Sequence, residues 1–406
     1  MLSDDAIEKL MQPIIDRQEN INNYVIGMIA KRIREIGKLS PSDIYRLERL
    51  FKSGTDAKRI NDEISRLTGL QIKDIKKLIK TVAMTSYVDT KPFYDYRHIS
   101  FLPFEENKPL QRIVEAVTRQ TLDTYRNLSN TTAFMIRDPQ NLQVLKPTPI
   151  AETYQSVIDE SVQAVQSGTV DYNSAMRRTI NQLIESGIRR VYYSPESGRR
   201  YSKRLDSAVR MNLLDAVRQI NQKVQDITGE QYGADGKELS AHPYSAPDHE
   251  PFQGRQFTLL NWEKLQNNES FQDVNGNRYI AVERIIGQWN CRHFAWSIII
   301  GFAKPNYTEE QLKEWAQKNA EGYTLPNGKK LTMYQCTQYQ RKMETSIRYA
   351  KDGQIAARAA GDIELIKKYQ MKVNKLSKEY RAFSKACGLS VKRDRTRVSG
   401  YKPVKI

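Results

Sequence analysis

The chain has 406 residues, enough for two or three domains with cores of their own. Hydrophobic residues make up 39% and charged residues 27%, and no apolar run approaches the roughly 18 residues needed to span a bilayer, which excludes a membrane-spanning protein and points to largely helical pieces with much solvated surface. Sixty-four Lys and Arg against 47 Asp and Glu leave a net charge of +17, a balance suited to polyanionic surroundings such as DNA, although the cations are spread along the chain.

The first ninety residues read as helix after helix. Ile7, Met11, Ile14, Gln18, Ile21, Val25 and Met28 recur by alternating fours and threes, the seam of a helix that meets a partner helix, and Pro13 is expected to kink it early. Ser40-Pro41-Ser42-Asp43 reads as a helix start and Gly54 as a stop, and amphipathic segments follow over 57–67 and 72–84 with Gly69 between them. Thr90 to Lys108 breaks the pattern with Lys91-Pro92, Leu102-Pro103, His98 and five aromatic residues, and reads as a linker packed on a neighbouring surface. Helices are predicted over 110–128, 151–166 and 171–185, with a Pro-containing loop (Pro139, Pro147, Pro149) ahead of the second.

A basic, aromatic connector comes next. Arg189, Arg190, Arg199, Arg200, Lys203 and Arg204 stand among Tyr192, Tyr193 and Tyr201, with a turn at Ser194-Pro195-Glu196-Ser197-Gly198 and short strands predicted on either side. These cations are the candidate phosphate contacts, with the tyrosines as aromatic support. A long helix is predicted over 207–227, stopping at Gly229. Gly, Pro, Asn and His then dominate, with extended pieces expected over 255–260 and 279–286 and a turn at 273–277. Thr308 with Gln311 has the pattern of a capping box opening 309–320, and helices over 332–351 and 363–386 precede a basic tail from Lys392 that is a second candidate for DNA contact.

These elements predict a mainly α protein: an elongated helical N-terminal half, a small loop-rich α+β central module and a helical C-terminal segment. The chain divides into a helical assembly region (1–90), a linker and helical region (91–170), a core region (171–305) and C-terminal helices with the basic tail (306–406). Cys291, Cys336 and Cys387 are too few and too widely spaced for a disulfide framework, so a reducing compartment during synthesis is expected. Acidic residues in MLSDDAIEKL stand where a secretory signal carries positive charge, so synthesis in the cytoplasm without export by the general route is expected.

Three of the four histidines, His242, His249 and His293, fall in one stretch with Cys291. Pro243 and Pro247 put the first two on a loop. Cys291 and His293 alternate by two, which on an extended segment turns both side chains to one face. A soft thiolate and three imidazoles suit a tetrahedral structural zinc. The spacing is not that of a standard zinc finger, however, and the same residues serve equally as a hydrogen-bonded core with Cys291 a small hydrophobe, so both readings stand. A catalytic version would use His249 or His293 as general base beside Asp248, Glu250 or Glu283. The chain has no P-loop, G-x-G-x-x-G, H-E-x-x-H or G-x-S-x-G, so no established catalytic motif supports an enzyme.

Ser240-Ala241-His242, then 246–257 (APDHEPFQGRQF) and Gly287-Gln288-Trp289-Asn290-Cys291-Arg292-His293, resemble the phage minor capsid protein 2 family. Pro305-x-Tyr307-Thr308, Thr337-Gln338-x-Gln340-Arg341-Lys342-x-Glu344, Ala360-Gly361-Asp362 and, upstream, Ser197-Gly198-Arg199-Arg200-Tyr201-Ser202 are similar too, so that the likeness spans roughly 170–400 and is weakest over the first 150 residues. Phe252 stands where the family commonly has Trp. The resemblance implies a structural minor component of a bacteriophage head, in role similar to Mu F-like head morphogenesis proteins. Expected partners are the portal protein, the major capsid or scaffold protein and packaged double-stranded DNA, bound without sequence preference. The expected location is the virion, and no membrane is involved. The alternative is a metal-dependent nuclease or hydrolase centred on His242, His249, Cys291 and His293.

Overall fold

The computed structural model describes residues 4–36, 55–126, 132–138, 141–149, 189–193, 200–282 and 293–405, with residues 152, 153, 174, 177, 178, 181, 183, 184, 187, 286 and 291 between them. Helix α1 (Asp4–Ile36) runs through Pro13 without interruption. Most of its predicted seam is buried, with Met11, Ile14 and Val25 fully enclosed, while Ile7 and Met28 are only half-buried and the fully buried Ile29 takes the place expected of Met28. The helix predicted from Ser40 lies outside the described residues.

Where the sequence suggested two segments separated by Gly69, one helix, α2 (Thr55–Val88), runs through. A single helical Gly costs only about 1 kcal/mol relative to Ala, whereas Ile75, Leu78, Ile79 and Val82 each bury completely or nearly so, at roughly 1.5–3 kcal/mol apiece.

The linker holds a short helix, α3 (Lys91–Tyr96), and is pinned by its aromatics as expected of a segment packed on a neighbour. Tyr87 stacks on Phe101 at 4.4 Å and Phe93 on Tyr232 at 5.1 Å. Helix α4 (Lys108–Arg126) follows.

The proline-containing loop is corrected by the structure: β1 (Thr132–Asp138) and β2 (Asn141–Pro149) pair antiparallel there, with Pro147 opposite Met135 and Pro149 opposite Ala133. With β3 (Arg189–Tyr193) and β4 (Arg200–Arg204) they form a sheet of order β2-β1-β3-β4. Strand β2 is therefore an edge, the position in a sheet where proline is tolerated because alternate N–H groups face away from the ladder. Most of the helices predicted over 151–166 and 171–185 lies outside the described residues; Glu152, Thr153, Ser174, Arg177, Arg178, Asn181, Leu183 and Ile184 are helical.

Helix α5 (Leu205–Tyr232) continues past Gly229 to a left-handed cap at Gly233 (φ 70°). Gly229 serves packing rather than termination, since a Cβ there would lie 2.5 Å from Ser297 Oγ. Beneath α5, β5 (Gly236–Leu239) is central to a sheet between β6 (Gln256–Thr258) and β9 (Ala295–Ile298). Helix α6 (Leu259–Gln266) and the hairpin of β7 (Phe271–Gln272) and β8 (Arg278–Tyr279) complete this small module around Leu239, Phe252, Phe257, Leu265 and Phe271. The turn at 273–277 forms as predicted, with the Asp273 carboxylate accepting from the Asn275 and Asn277 N–H groups.

Helix α7 (Glu309–Glu321) is capped by Thr308, which accepts from Gln311 N. The reciprocal capping box forms one helix later, between Thr332 and Gln335, at the start of α8 (Met333–Ala360), after the hairpin of β10 (Tyr323–Thr324) and β11 (Lys330–Leu331). Helix α9 (Ile363–Ala386) closes an antiparallel pair with α8. Cys336 and Cys387 are buried packing residues as expected, and burial pushes the Cys387 thiol up to about 12.

Apolar residues of α1, α2, α5, α8 and α9 share one core, in which Met11, Ile79, Val209, Ala357 and Leu365 all take part. The protein is thus mainly α, with small, separate sheets. The basic tail folds back on this core: Arg395 donates to Glu8, Arg397 pairs with Asp16, and the Ser399 N–H donates to Glu19.

Candidate metal centre

The β5–β9 ladder assembles the site. Leu239 lies opposite Ala295, and one residue further along the Ser240 N–H donates to the Phe294 carbonyl while Ser240 Oγ accepts from the Phe294 N–H. The loop that leaves β5 is thereby clamped against the segment that enters β9, bringing 242–253 to Cys291 and His293. Within the loop, Glu250 N donates to Ala246 O and Gln253 N to His249 O, so a helical turn places His249 and Gln253 on one side. Gly254 ends the turn at φ 72°, where a Cβ would sit 2.9 Å from Leu312 Cδ2.

His249, Cys291 and His293 present their ligand atoms within 4.8 Å of one another. The Cys291 Sγ lies 3.6 Å from His249 Nδ1 and 3.5 Å from His293 Nδ1. Each ring turns its other nitrogen to an oxygen: His293 Nε2 is 3.2 Å from Gln253 Oε1, and His249 Nε2 is 3.7 Å from Asp248 Oδ2. Gln253 Oε1 also accepts from the His242 N–H, which fixes the amide's orientation. Both rings are buried and Cys291 is half-buried.

His242 joins the cluster differently. Its ring stacks on His293 with centroids 4.6 Å apart, and its Nδ1 lies 3.2 Å from the Pro243 carbonyl. Of the four expected ligands, three present donors to a common point and the fourth lies against one of their faces.

All four line a cleft of about 510 Å³ whose far wall carries Tyr334 and Arg341 from α8, and Lys392 and Arg395 from the start of the tail. Asn319 ties the walls together, donating to Glu250 Oε1 at 2.7 Å and accepting from the Tyr334 N–H at 2.8 Å. Burial raises the Glu250 carboxyl above its ordinary value, against the lowering effect of that Asn319 bond. Of the carboxylates named in the catalytic variant, Asp248 faces His249 Nε2 and Glu250 accepts from Asn319, neither lines the cleft, and Glu283 lies outside the described residues. Gln253 and Asn319 were not among the residues expected from sequence. The Gln253 role was signalled only by its place in the Phe252-Gln253-Gly254 motif.

The candidate phosphate contacts divide. Arg189 and Arg190 stand opposite Arg204 and Lys203 in the β3–β4 ladder, and Arg200 opposite Tyr193; Arg199 lies outside the described residues. Lys203 is half-buried, with its Nζ 3.2 Å from Met211 Sδ. Arg204 is a correction: it is 6% exposed, donates to Asp206 at 3.1 Å and to Asp352 at 2.8 Å, and lies over the Tyr349 ring. Burial alone would lower its pKa, but the two carboxylates hold it well above the ordinary value, so it is a core ion-pair partner and not a phosphate contact.

No curated protein and no solved structure matches the chain. The family model described as phage minor capsid protein 2 matches residues 2–385, and so includes the N-terminal helices where the sequence resemblance was weakest. No helix among the described residues is long and apolar enough to cross a membrane. With nearly its whole length matched, the chain belongs to the phage minor capsid protein 2 family, and it is a minor capsid protein of a bacteriophage.

Proposed function

We propose that the protein is a structural and assembly component of the phage head, seated at the portal or the inner capsid face, where it meets major capsid or scaffold protein and touches packaged DNA without sequence preference. The family match over 2–385 carries this reading. An exposed apolar stretch supports the assembly role: Met84 and Val88, four apart on α2, are followed by Tyr96, Ile99 and Leu102, each more than two-fifths exposed, and Tyr96 stacks on the exposed Phe302 at 3.8 Å. Apolar side chains gathered at a surface in this way suit a protein partner.

The DNA contact is supported by the net charge of +17 and by the β3–β4 register. The register sets Arg190 opposite Lys203, two cationic residues at neighbouring strand positions, a pairing that suits a polyanion. The test is binding of a duplex oligonucleotide followed by fluorescence anisotropy across a salt series. Affinity falls steeply with salt and is indifferent to sequence, and R190A/K203A reduces the double-logarithmic slope by about 2. A flat salt dependence would remove DNA from the proposal, while recovery of the protein with portal from disrupted heads tests the assembly half separately.

The His249, Cys291 and His293 cluster, open to a cleft, favours one second reading, a metal-dependent nuclease or hydrolase. That reading requires metal-dependent nicking of plasmid DNA that C291S abolishes.

A further inference from the structure

We propose that His249, Cys291 and His293 bind one zinc ion and leave its fourth coordination position open to the cleft, where it takes a phosphate-type oxyanion held by Arg341, Lys392 and Arg395. The inference does not depend on the role of the protein in the head.

Geometry is the first support. Tetrahedral zinc with Zn–S near 2.3 Å and Zn–N near 2.0–2.1 Å places sulfur and nitrogen about 3.6 Å apart. Cys291 Sγ lies 3.5 and 3.6 Å from two imidazole Nδ1 atoms. The second support is the direction of the rings. His293 Nε2 faces Gln253 Oε1 and His249 Nε2 faces Asp248, the arrangement in which the outer nitrogen carries the proton and the inner lone pair is offered to a metal. A single thiol hydrogen can bridge from Cys291 to one Nδ1, whereas a cation accepts the sulfur and both nitrogens together. The donor set selects the metal, since thiolate and imidazole suit zinc and not the oxygen-seeking magnesium or calcium.

Why the site is open follows from His242. Its ring is stacked on His293, and among the described residues the ligand atoms that converge are those of His249, Cys291 and His293 alone. Three protein ligands with a free fourth position are the pattern of zinc sites that exchange ligands. The opening faces a cleft that also bears Arg341, Lys392 and Arg395, the last sharing its guanidinium with Glu8, and no carboxylate is among the described lining residues. A zinc ion beside guanidinium and ammonium groups recognises a multiply charged oxyanion, and phosphate matches the planar donor fork of arginine.

The test uses the full chain. Protein purified without chelator carries about one zinc per chain by elemental analysis. Zinc-stripped protein takes up cobalt with a thiolate-to-metal charge-transfer band, which C291S abolishes and H242A leaves in place. Inorganic phosphate shifts the ligand-field bands of the cobalt protein, and R341A weakens the apparent phosphate affinity about tenfold. A terminally phosphorylated oligonucleotide and its unphosphorylated twin separate the two sources of such an anion: a shift with the phosphorylated strand alone assigns a DNA end, and a shift with inorganic phosphate alone assigns the free ion. Should C291S not fold, the wild-type cobalt spectrum still decides, because the charge-transfer band requires a ligated sulfur. Failure of the wild-type chain to bind either metal overturns the site, and cobalt bands indifferent to every phosphate overturn the open position.

Discussion

The Arg204 guanidinium donates to the Asp352 carboxylate at 2.8 Å, joining the end of β4 to the middle of α8 across 148 residues of chain. Asp206 accepts from Arg204 on one side and pairs with Arg348 at 2.9 Å on the other, so two cations and two carboxylates form one buried chain. Burial would raise the Asp206 carboxyl, but the two guanidinium groups hold it well below the ordinary range. Removing one member of such a network strands an opposite charge away from water. D352A should therefore cost about 3–5 kcal/mol in denaturant-induced unfolding. A loss below about 1 kcal/mol, the scale of a surface pair, would show that water reaches Arg204.

That ion network explains why the sequence misassigned Arg204. In the string Arg199-Arg200-Tyr201-Ser202-Lys203-Arg204 nothing separates the last cation from its neighbours. Its partners Asp206 and Asp352 come from different elements, and only the tertiary fold brings Asp352 of α8 to it. Local periodicity and capping were legible by contrast: most of the α1 seam, the Thr308 cap and the α9 bounds follow from side chains within a turn of one another. The edge position of Pro147 and Pro149 was not, because edge and centre are properties of a sheet and not of a strand. At the site, the convergence of His249, Cys291 and His293 could be read from their types and spacing. The far wall, contributed by Arg341, Lys392 and Arg395, could not.

Stability should fall as pH rises from about 5 to 8, through Glu19. Burial pushes its carboxyl up to about 8, with repulsion from Asp206 adding and Arg348 opposing. In the unfolded chain the same group titrates near the ordinary 4.5. Between those values the folded state holds a proton that the unfolded state has lost, so each unit of pH favours unfolding, and the slope vanishes above about 8. E19Q removes the ionisation, and its melting temperature should be flatter over this window and higher than wild type at pH 8. Parallel pH profiles of the two proteins would assign the dependence to another group.

Deleting residues 394–406 should destabilise the fold rather than merely remove charge. Gln354 donates to the Lys402 carbonyl at 2.9 Å, and Gln370 accepts from the Val404 N–H and from the Tyr401 hydroxyl, both at 3.0 Å. Gln354 and Gln370 are buried and, among the described residues, keep only their mutual bond at 3.0 Å and the Gln370 bond to Asn374 when the tail is removed, and polar capacity left unmet in a buried site costs about 1–3 kcal/mol. The truncated protein should lose on the order of 3 kcal/mol in urea unfolding. An unchanged midpoint would mean that water takes the place of the tail at these groups.

Gln253 should tune metal affinity without supplying a ligand. Its Oε1 lies 3.2 Å from His293 Nε2 and also accepts from the His242 N–H, so the carbonyl end is fixed toward the histidine ring. Replacing the amide with Leu keeps most of the volume of this buried side chain but removes the acceptor that holds the Nε2 proton. The His293 ring then gains a tautomer in which Nδ1 carries the proton and faces Cys291. Zinc affinity of Q253L, measured by competition with a chromophoric chelator, should fall about 10–100-fold, while cobalt bound at saturation keeps its thiolate charge-transfer band. Loss of the band would place Gln253 in the coordination sphere, and unchanged affinity would show that His293 is oriented by its other contacts, Ser245 among them.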